Sequence, residues 1–283
     1  MASVVVYSRD FDRYRDMGLA PEQFKYRFLA EGDSWMDRSS LLAASLPSHL
    51  ADAMDAAGES VLIVNLSMFG DTMRRIGDCL NTDFVGWIRH TFAWKFDALL
   101  LSVAGNDFID AARDPAPGQG ILKNMAGQPM PAQGRECVNQ DAVALLITQY
   151  LDPNFATLYD LVQGSKHADM PIFLNSYDTP TARNAPALPH GRAWLYEAYK
   201  KNNIPQHIWP DLTDSIFNDV QTTVALWAQG RANVHLVPTD GTLTPAAPGS
   251  TGDSGDWINE IHPNAAGWEK LAAIWQTAIK AII

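Results

Sequence analysis

The sequence predicts an α/β protein: a three-layer α/β/α sandwich on a five-stranded parallel sheet of the flavodoxin-like kind. Three observations predict it. Strand-like and helix-like runs alternate along the chain, and such alternation gives a parallel sheet with helices on both faces. The stretch 97–103 (DALLLSV) is apolar almost without interruption, which suits a strand covered on both sides. The chain has 283 residues, of which 47% are hydrophobic and 19% charged, enough apolar material for a large core and no sign of disorder.

The strands come in order at residues 25–31 (KYRFLAE), 61–66 (VLIVNL), 97–103, 171–176 (PIFLNS) and 233–237 (NVHLV). The spacing of Leu42, Leu46, Leu50 and Met54, closed by Gly58, predicts a helix over 39–57. Further helices are expected at 141–163, 211–229 and 263–282. The last of these places Trp268, Leu271, Ala272, Trp275, Ala278, Ile279 and Ile282 on one face, and Pro263 reads as its first residue. The whole chain, 1–283, reads as a single domain with two insertions on the ligand-binding side, 108–140 and 178–210. The first is rich in Pro and Gly. The second carries Trp194, Tyr196, Tyr199 and Trp209, with a short helical run near 192–201.

Charge narrows the partners. Lys and Arg number 21 against 32 Asp and Glu, a net charge of −11. Binding nucleic acid or anionic lipid needs basic surface, so neither is expected. No apolar run approaches the 18 or so residues that span a bilayer, and the expectation is a soluble protein with no stable membrane insertion. At the N-terminus Val4, Val5 and Val6 are followed at once by Arg9, Asp10, Asp12 and Arg13, too short an apolar run for a secretory signal. A cytoplasmic location is the default, with export of a form lacking its leader as the alternative. Cys79 and Cys137 fit no zinc or disulfide-scaffold spacing and read as two ordinary thiols, a single disulfide being the alternative. Oligomeric state is not readable from the sequence.

Chemistry is concentrated where strands end, the place where open parallel sheets bind ligands. Gly32-Asp33-Ser34-Trp35 follows the first predicted strand and Ser67-Met68-Phe69-Gly70-Asp71 the second. The third runs into Ala104-Gly105-Asn106-Asp107, and Asp256 to Pro263 (DWINEIHP) leads into the last helix. Each block alone is weak. Gly-Asp-Ser occurs again at Gly252-Asp253-Ser254-Gly255, a superficial resemblance to the nucleophile box of chymotrypsin-like proteases. Those are two-barrel β proteins, which the alternating pattern rules out. No GxSxG elbow, P-loop, dinucleotide fingerprint or metal-ligand spacing is present.

Taken together and in order, the four blocks resemble those of the SGNH (GDSL-type) serine hydrolases, over nearly the whole chain from Phe28 to Trp275. The resemblance implies Ser34 as nucleophile and His262 as general base. It also implies an oxyanion hole made of the Ser34 and Gly70 backbone N–H groups and the Asn106 side chain. The chemistry is consistent with those roles. A serine hydroxyl is a poor nucleophile until an imidazole takes its proton. Gly70 has no Cβ to block approach to its N–H, and Asn106 offers two donors without adding charge. A helix starting at Pro263 would disfavour the imidazolium and keep His262 neutral.

The sequence departs from the family at two places. The family usually has Asp three residues before the histidine, and here that residue is Asn259. An amide oxygen can orient the ring but supplies no negative charge. Asn259 is the first choice as orienter; Asp256, Glu260 or a backbone carbonyl are the alternatives. Ala104 stands where the family often has Gly, a mild change.

What the resemblance implies is an esterase that forms an acyl-enzyme on Ser34 and needs no cofactor or metal. A small-molecule ester with a short-chain or acetyl group is the default substrate. The alternatives are a lipase acting on longer acyl chains and a catalytically inactive carbohydrate- or protein-binding module, which only Asn259 encourages.

Overall fold

A computed structural model describes residues 2–37, 45–90, 94–114, 116 and 118–283. It contains one parallel sheet of six strands: β1 (Val4–Tyr7), β2 (Tyr26–Gly32), β3 (Val61–Asn65), β4 (Ala98–Ser102), β5 (Ile172–Asn175) and β6 (Val234–Val237). Their order across the sheet is β1-β3-β2-β4-β5-β6. Without β1 this is the flavodoxin order, 2-1-3-4-5.

The five-strand expectation is therefore corrected to six. The extra strand is the Val4–Val6 run, which pairs in parallel with β3 at the sheet's edge. At four residues it is too short to stand out from an apolar terminal stretch. Its residues are mostly half-buried, because only an edge strand's inner neighbour covers it. β3 and β4, by contrast, are buried at every position, as their unbroken apolar sequences require.

The helices are α1 (Phe11–Asp16), α2 (Leu46–Ala56), α3 (Ile76–Cys79), α4 (Thr82–Arg89), α5 (Gly105–Ala112), α6 (Gln140–Leu146), α7 (Asp152–Gln163), α8 (Leu195–Lys201), α9 (Trp209–Ala228) and α10 (Ala265–Lys280). Of the helix predicted over 39–57, residues 39–44 lie outside the described residues. The single helix predicted over 141–163 is α6 and α7 joined by a π-type turn, Ile147–Leu151. Pro153 accounts for the wider turn, since it brings no N–H to the helical ladder. Parallel strands need crossover connections, and these carry the helices over the sheet. α2 and α10 pack on one another on one side. On the other, α9 lies against β5, β6 and α5. Phe11 of α1 meets Trp87 of α4 edge-on at 4.8 Å. Of the first predicted insertion, Phe108 to Ala112 belong to α5, so irregular chain begins only at Arg113.

The last helix begins later than its sequence suggests. Asn264 is the N-cap, its side chain accepting the Gly267 N–H, and Pro263 precedes it. Cys79 and Cys137 are both buried free thiols. Among the described residues, no helix is long and apolar enough to cross a membrane.

Candidate active site

The switch point of the sheet lies between β2 and β4, where consecutive connections leave in opposite directions and open a crevice beyond the strand ends. β2 ends there in Gly32. Its φ is +135°, and a Cβ would sit 2.0 Å from the Ser102 carbonyl oxygen of β4, so only glycine fits. The chain then turns tightly, with the Met36 and Asp37 N–H groups both donating to the Asp33 carbonyl. Ser34 stands in that turn.

The Asp33 side chain locks the turn from below. It accepts the Trp35 N–H at 3.0 Å, the Ser102 hydroxyl at 3.1 Å and the Tyr177 hydroxyl at 2.5 Å. Burial pushes its carboxyl up to about 6 despite these donors.

The other blocks converge on Ser34. His262 Nε2 lies 2.7 Å from Ser34 Oγ, and His262 Nδ1 lies 3.0 Å from Asn259 Oδ1. Asn259 Oδ1 also accepts the backbone N–H groups of Ile261 and His262. Asp256 and Glu260 face elsewhere. Asp256 binds Lys270 and the Thr244 N–H. The Glu260 carboxylate accepts N–H groups from Arg183, Trp194, Leu195 and Tyr196. His262 is fully buried, and that burial pulls its imidazole down to about 3. Burial acts in the direction expected of a helix terminus, and the helix after His262 is capped by Asn264 rather than opened by Pro263.

Gly70 and Asn106 sit in segments stitched to the same crevice. The Met68 N–H donates to the Gly32 carbonyl, and Gly70 has φ +86°, a conformation that favours glycine. Asn106 Nδ2 donates to the Asp71 carbonyl at 3.1 Å, tying the first turn of α5 to the Gly70 loop. Asp107 adds two bonds to that loop by accepting the Met73 and Arg74 N–H groups. A cavity of about 10 Å³ faces Ser34 and Asn106, walled by Trp35, Ile109, Tyr177 and Trp257 among others. Next to it, sharing Asp178 and Pro180, opens a larger hollow of about 650 Å³. Asp178, Asp214 and Asp240 line that hollow, with no Lys or Arg.

Several contributors carry no short-motif signal. Trp194, from the second predicted insertion, meets the His262 ring edge-on at 5.5 Å, and Phe69 lies 6.5 Å from it. Arg183 is buried, and its guanidinium donates to the carbonyls of Gly252, Trp257 (3.2 Å) and Asn259 (2.6 Å) and to the Ser250 hydroxyl. Arg183 and Glu260 thus clamp the insertion and the histidine loop from opposite sides. Ala104 has φ +83°, so the exchange read as mild places a side chain in strained backbone. The second Gly-Asp-Ser copy is occupied structurally: Ser254 accepts the Ala247 N–H and Asp253 accepts from the Asn264 side chain. Among the described residues, no group of three or more His, Cys, Asp and Glu is arranged to hold a metal ion.

No protein-family model matches the chain, and no curated protein matches its sequence. Solved structures of similar course do exist. A family 3 carbohydrate esterase of Clostridium thermocellum matches at 15% identity and TM-score 0.48, covering 91% of this chain and 96% of that one. An acetylxylan esterase of Geobacillus stearothermophilus matches at 16% and 0.46, covering 90% and 94%. A structure described as a GDSL-like lipase of Parabacteroides merdae matches at 13% and 0.48, covering 91% and 96%.

Proposed function

We propose that the chain is a serine esterase of the SGNH (GDSL) type that hydrolyses carboxylic esters through an acyl-enzyme on Ser34. The observation that carries this reading is the relay Ser34 Oγ, His262 Nε2, His262 Nδ1, Asn259 Oδ1, with links of 2.7 and 3.0 Å. A hydroxyl, an imidazole and an orienting acceptor in that sequence are what a nucleophilic serine requires.

Ser34 Oγ attacks the ester carbonyl carbon while its proton passes to His262 Nε2. The Ser34 and Gly70 N–H groups and the free N–H of the Asn106 amide hold the resulting oxyanion. Removing one such donor typically costs about 10²–10³ in turnover. The tetrahedral intermediate collapses, the C–O bond to the alcohol breaks, and His262 returns the proton to the leaving oxygen. Water then attacks the acyl carbon, its proton going to His262; the bond to Ser34 Oγ breaks, His262 returns the proton to Oγ, and the carboxylic acid leaves.

A short acyl group suits the site. The space facing Ser34 and Asn106 is about 10 Å³ and is walled by large rings, close to the room that one water needs. Met68 and Phe69 favour the second reading, a lipolytic enzyme, because both side chains are exposed on the loop beside the histidine. A series of p-nitrophenyl esters of increasing acyl length on wild type and Ser34→Ala tests both. The proposal expects turnover that falls beyond short acyl chains and vanishes in Ser34→Ala. A rate rising with chain length would favour the lipase. No turnover, with no labelling of Ser34 by a fluorophosphonate, would leave a binding module.

A further inference from the structure

The two long irregular stretches meet away from the relay in a hollow whose charge is opposite to that of the rest of the molecule. It measures about 390 Å³ and is lined by Arg113, Arg192, Ala193, Glu197, Ala198 and Lys201. Three cations and one carboxylate line it, in a chain of net charge −11. Arg113 follows the last residue of α5, and Lys201 ends α8. The Lys201 ammonium nitrogen is shielded from solvent and has no hydrogen-bond partner among the described residues. Burial pulls the Lys201 pKa down, against the attraction of Asp114. Arg192 has no ion pair among the described residues, and Arg113 has only a loose 3.6 Å contact with Asp110 on the exposed surface. Leaving a shielded ammonium unpaired is costly, and a charged acceptor placed there would remove that cost.

We propose that this hollow binds an oxyanion, a carboxylate or phosphate carried by a small-molecule ligand. Two guanidinium forks and an ammonium around one space suit the two or three acceptor oxygens of such a group. Three cations and Glu197 in the lining leave a net charge of +2 for a ligand of charge −1 or −2. The hollow is also placed to sense the relay. Ala193, in its wall, adjoins Trp194, whose ring touches His262. Arg113 lies seven residues beyond Asn106, about 10 Å along the helix at 1.5 Å per residue. An ester with an acidic group about that far from its acyl carbon would bridge the two sites; this clause alone rests on the esterase reading.

Calorimetric titration of the full chain with inorganic phosphate, and separately with succinate, tests the site. Binding should weaken at least tenfold in Arg192→Gln and in Lys201→Met, and fall with added salt, as it does for exposed charges. Arg192 is exposed, so its replacement leaves folding intact. Saturation by phosphate but not succinate would assign a phosphate ligand, and the converse a carboxylate. Absence of binding by either probe, or equal affinity in wild type and Arg192→Gln, overturns the proposal. In a second arm, 4-acetoxycinnamamide is compared with 4-acetoxycinnamate, whose carboxylate stands roughly that far from its acetyl carbon. Arg192→Gln should raise KM for the acidic ester about tenfold and leave the neutral one unchanged. An equal effect on both esters overturns the bridging clause, whereas failure to cleave either defeats the esterase reading and leaves the titration to decide the site.

Discussion

The side-chain oxygen of Asn259 lies 3.0 Å from Nδ1 of His262 while accepting the N–H groups of Ile261 and His262. Only an oxygen can accept two backbone N–H donors, so the amide cannot be flipped. It follows that Nδ1 carries the ring proton and Nε2 presents its lone pair to Ser34. Asn259 therefore sets tautomer and orientation without contributing charge.

Supplying that charge should strengthen the base. In Asn259→Asp the carboxylate keeps all three N–H contacts and favours the imidazolium, and the fluorophosphonate labelling rate should rise about tenfold, the equivalent of one pKa unit. In Asn259→Leu the ring loses its acceptor and two N–H groups are left unpaired, so labelling should fall by about 10²–10³, short of the loss from a wrong tautomer. Equal rates in wild type and Asn259→Leu would remove Asn259 from the relay.

The pH profile follows from the same ring. Burial lowers His262 from 6.5 to about 3, so the neutral base is present throughout pH 5–8. The labelling rate of wild type should show no midpoint near 6.5. Stability has its own sign. The unfolded chain protonates this histidine near 6.5 and the native state only near 3, so its contribution to stability is full above 6.5 and is lost as pH falls towards 3. Urea titrations between pH 7 and pH 4 on wild type and His262→Gln should isolate this contribution, with the variant's midpoint falling less on acidification.

Ala104 and Gly105 make an opposed pair. Ala104 holds φ +83°, and Ala104→Gly should stabilise the fold by about 1 kcal/mol, the strain relieved less the added freedom of the unfolded chain. At Gly105 a Cβ would lie 2.7 Å from the Tyr177 ring, which carries the hydroxyl bonded to Asp33. Gly105→Ala should lower the thermal midpoint and slow labelling together. Thermal scans of the two variants check both signs.

Arg183→Met tests the clamp. It removes a buried guanidinium that serves four carbonyls, those of Ser250, Gly252, Trp257 and Asn259, and the Ser250 hydroxyl. Leaving buried acceptors without their charged donor costs about 1–3 kcal/mol. Arg183→Lys should recover only part of it, because one ammonium cannot reach acceptors spread over Ser250 to Asn259. Denaturant midpoints give the cost, and the labelling rate reports whether the histidine loop keeps its place.

The layers of the fold were legible because buried parallel strands need unbroken apolar runs, and residues 61–66 and 97–103 have them. β1 was not, since four residues at an edge lack a second neighbour to demand more. Ser34, Gly70, Asn106, Asn259 and His262 were singled out through the resemblance of four ordered blocks to one family, and of these the structure joins Ser34, His262 and Asn259 by hydrogen bonds. Arg183 and Trp194 were not. They act from an irregular stretch whose path is fixed by long-range bonds such as those to Glu260, and no local periodicity records such bonds. The meaning of Ala104 depended on a backbone angle, which a residue name alone does not reveal.

Ser34 and His262 are 228 positions apart, and the histidine sits just before the final helix. On a ribosome, the serine emerges 228 residues ahead of its partner. Docking of α10 against α2 therefore has to precede assembly of the Ser34–His262 pair, and contacts so far apart in sequence form slowly. Recovery of labelling after dilution from urea should trail the return of helical circular dichroism, making turnover a late reporter of refolding.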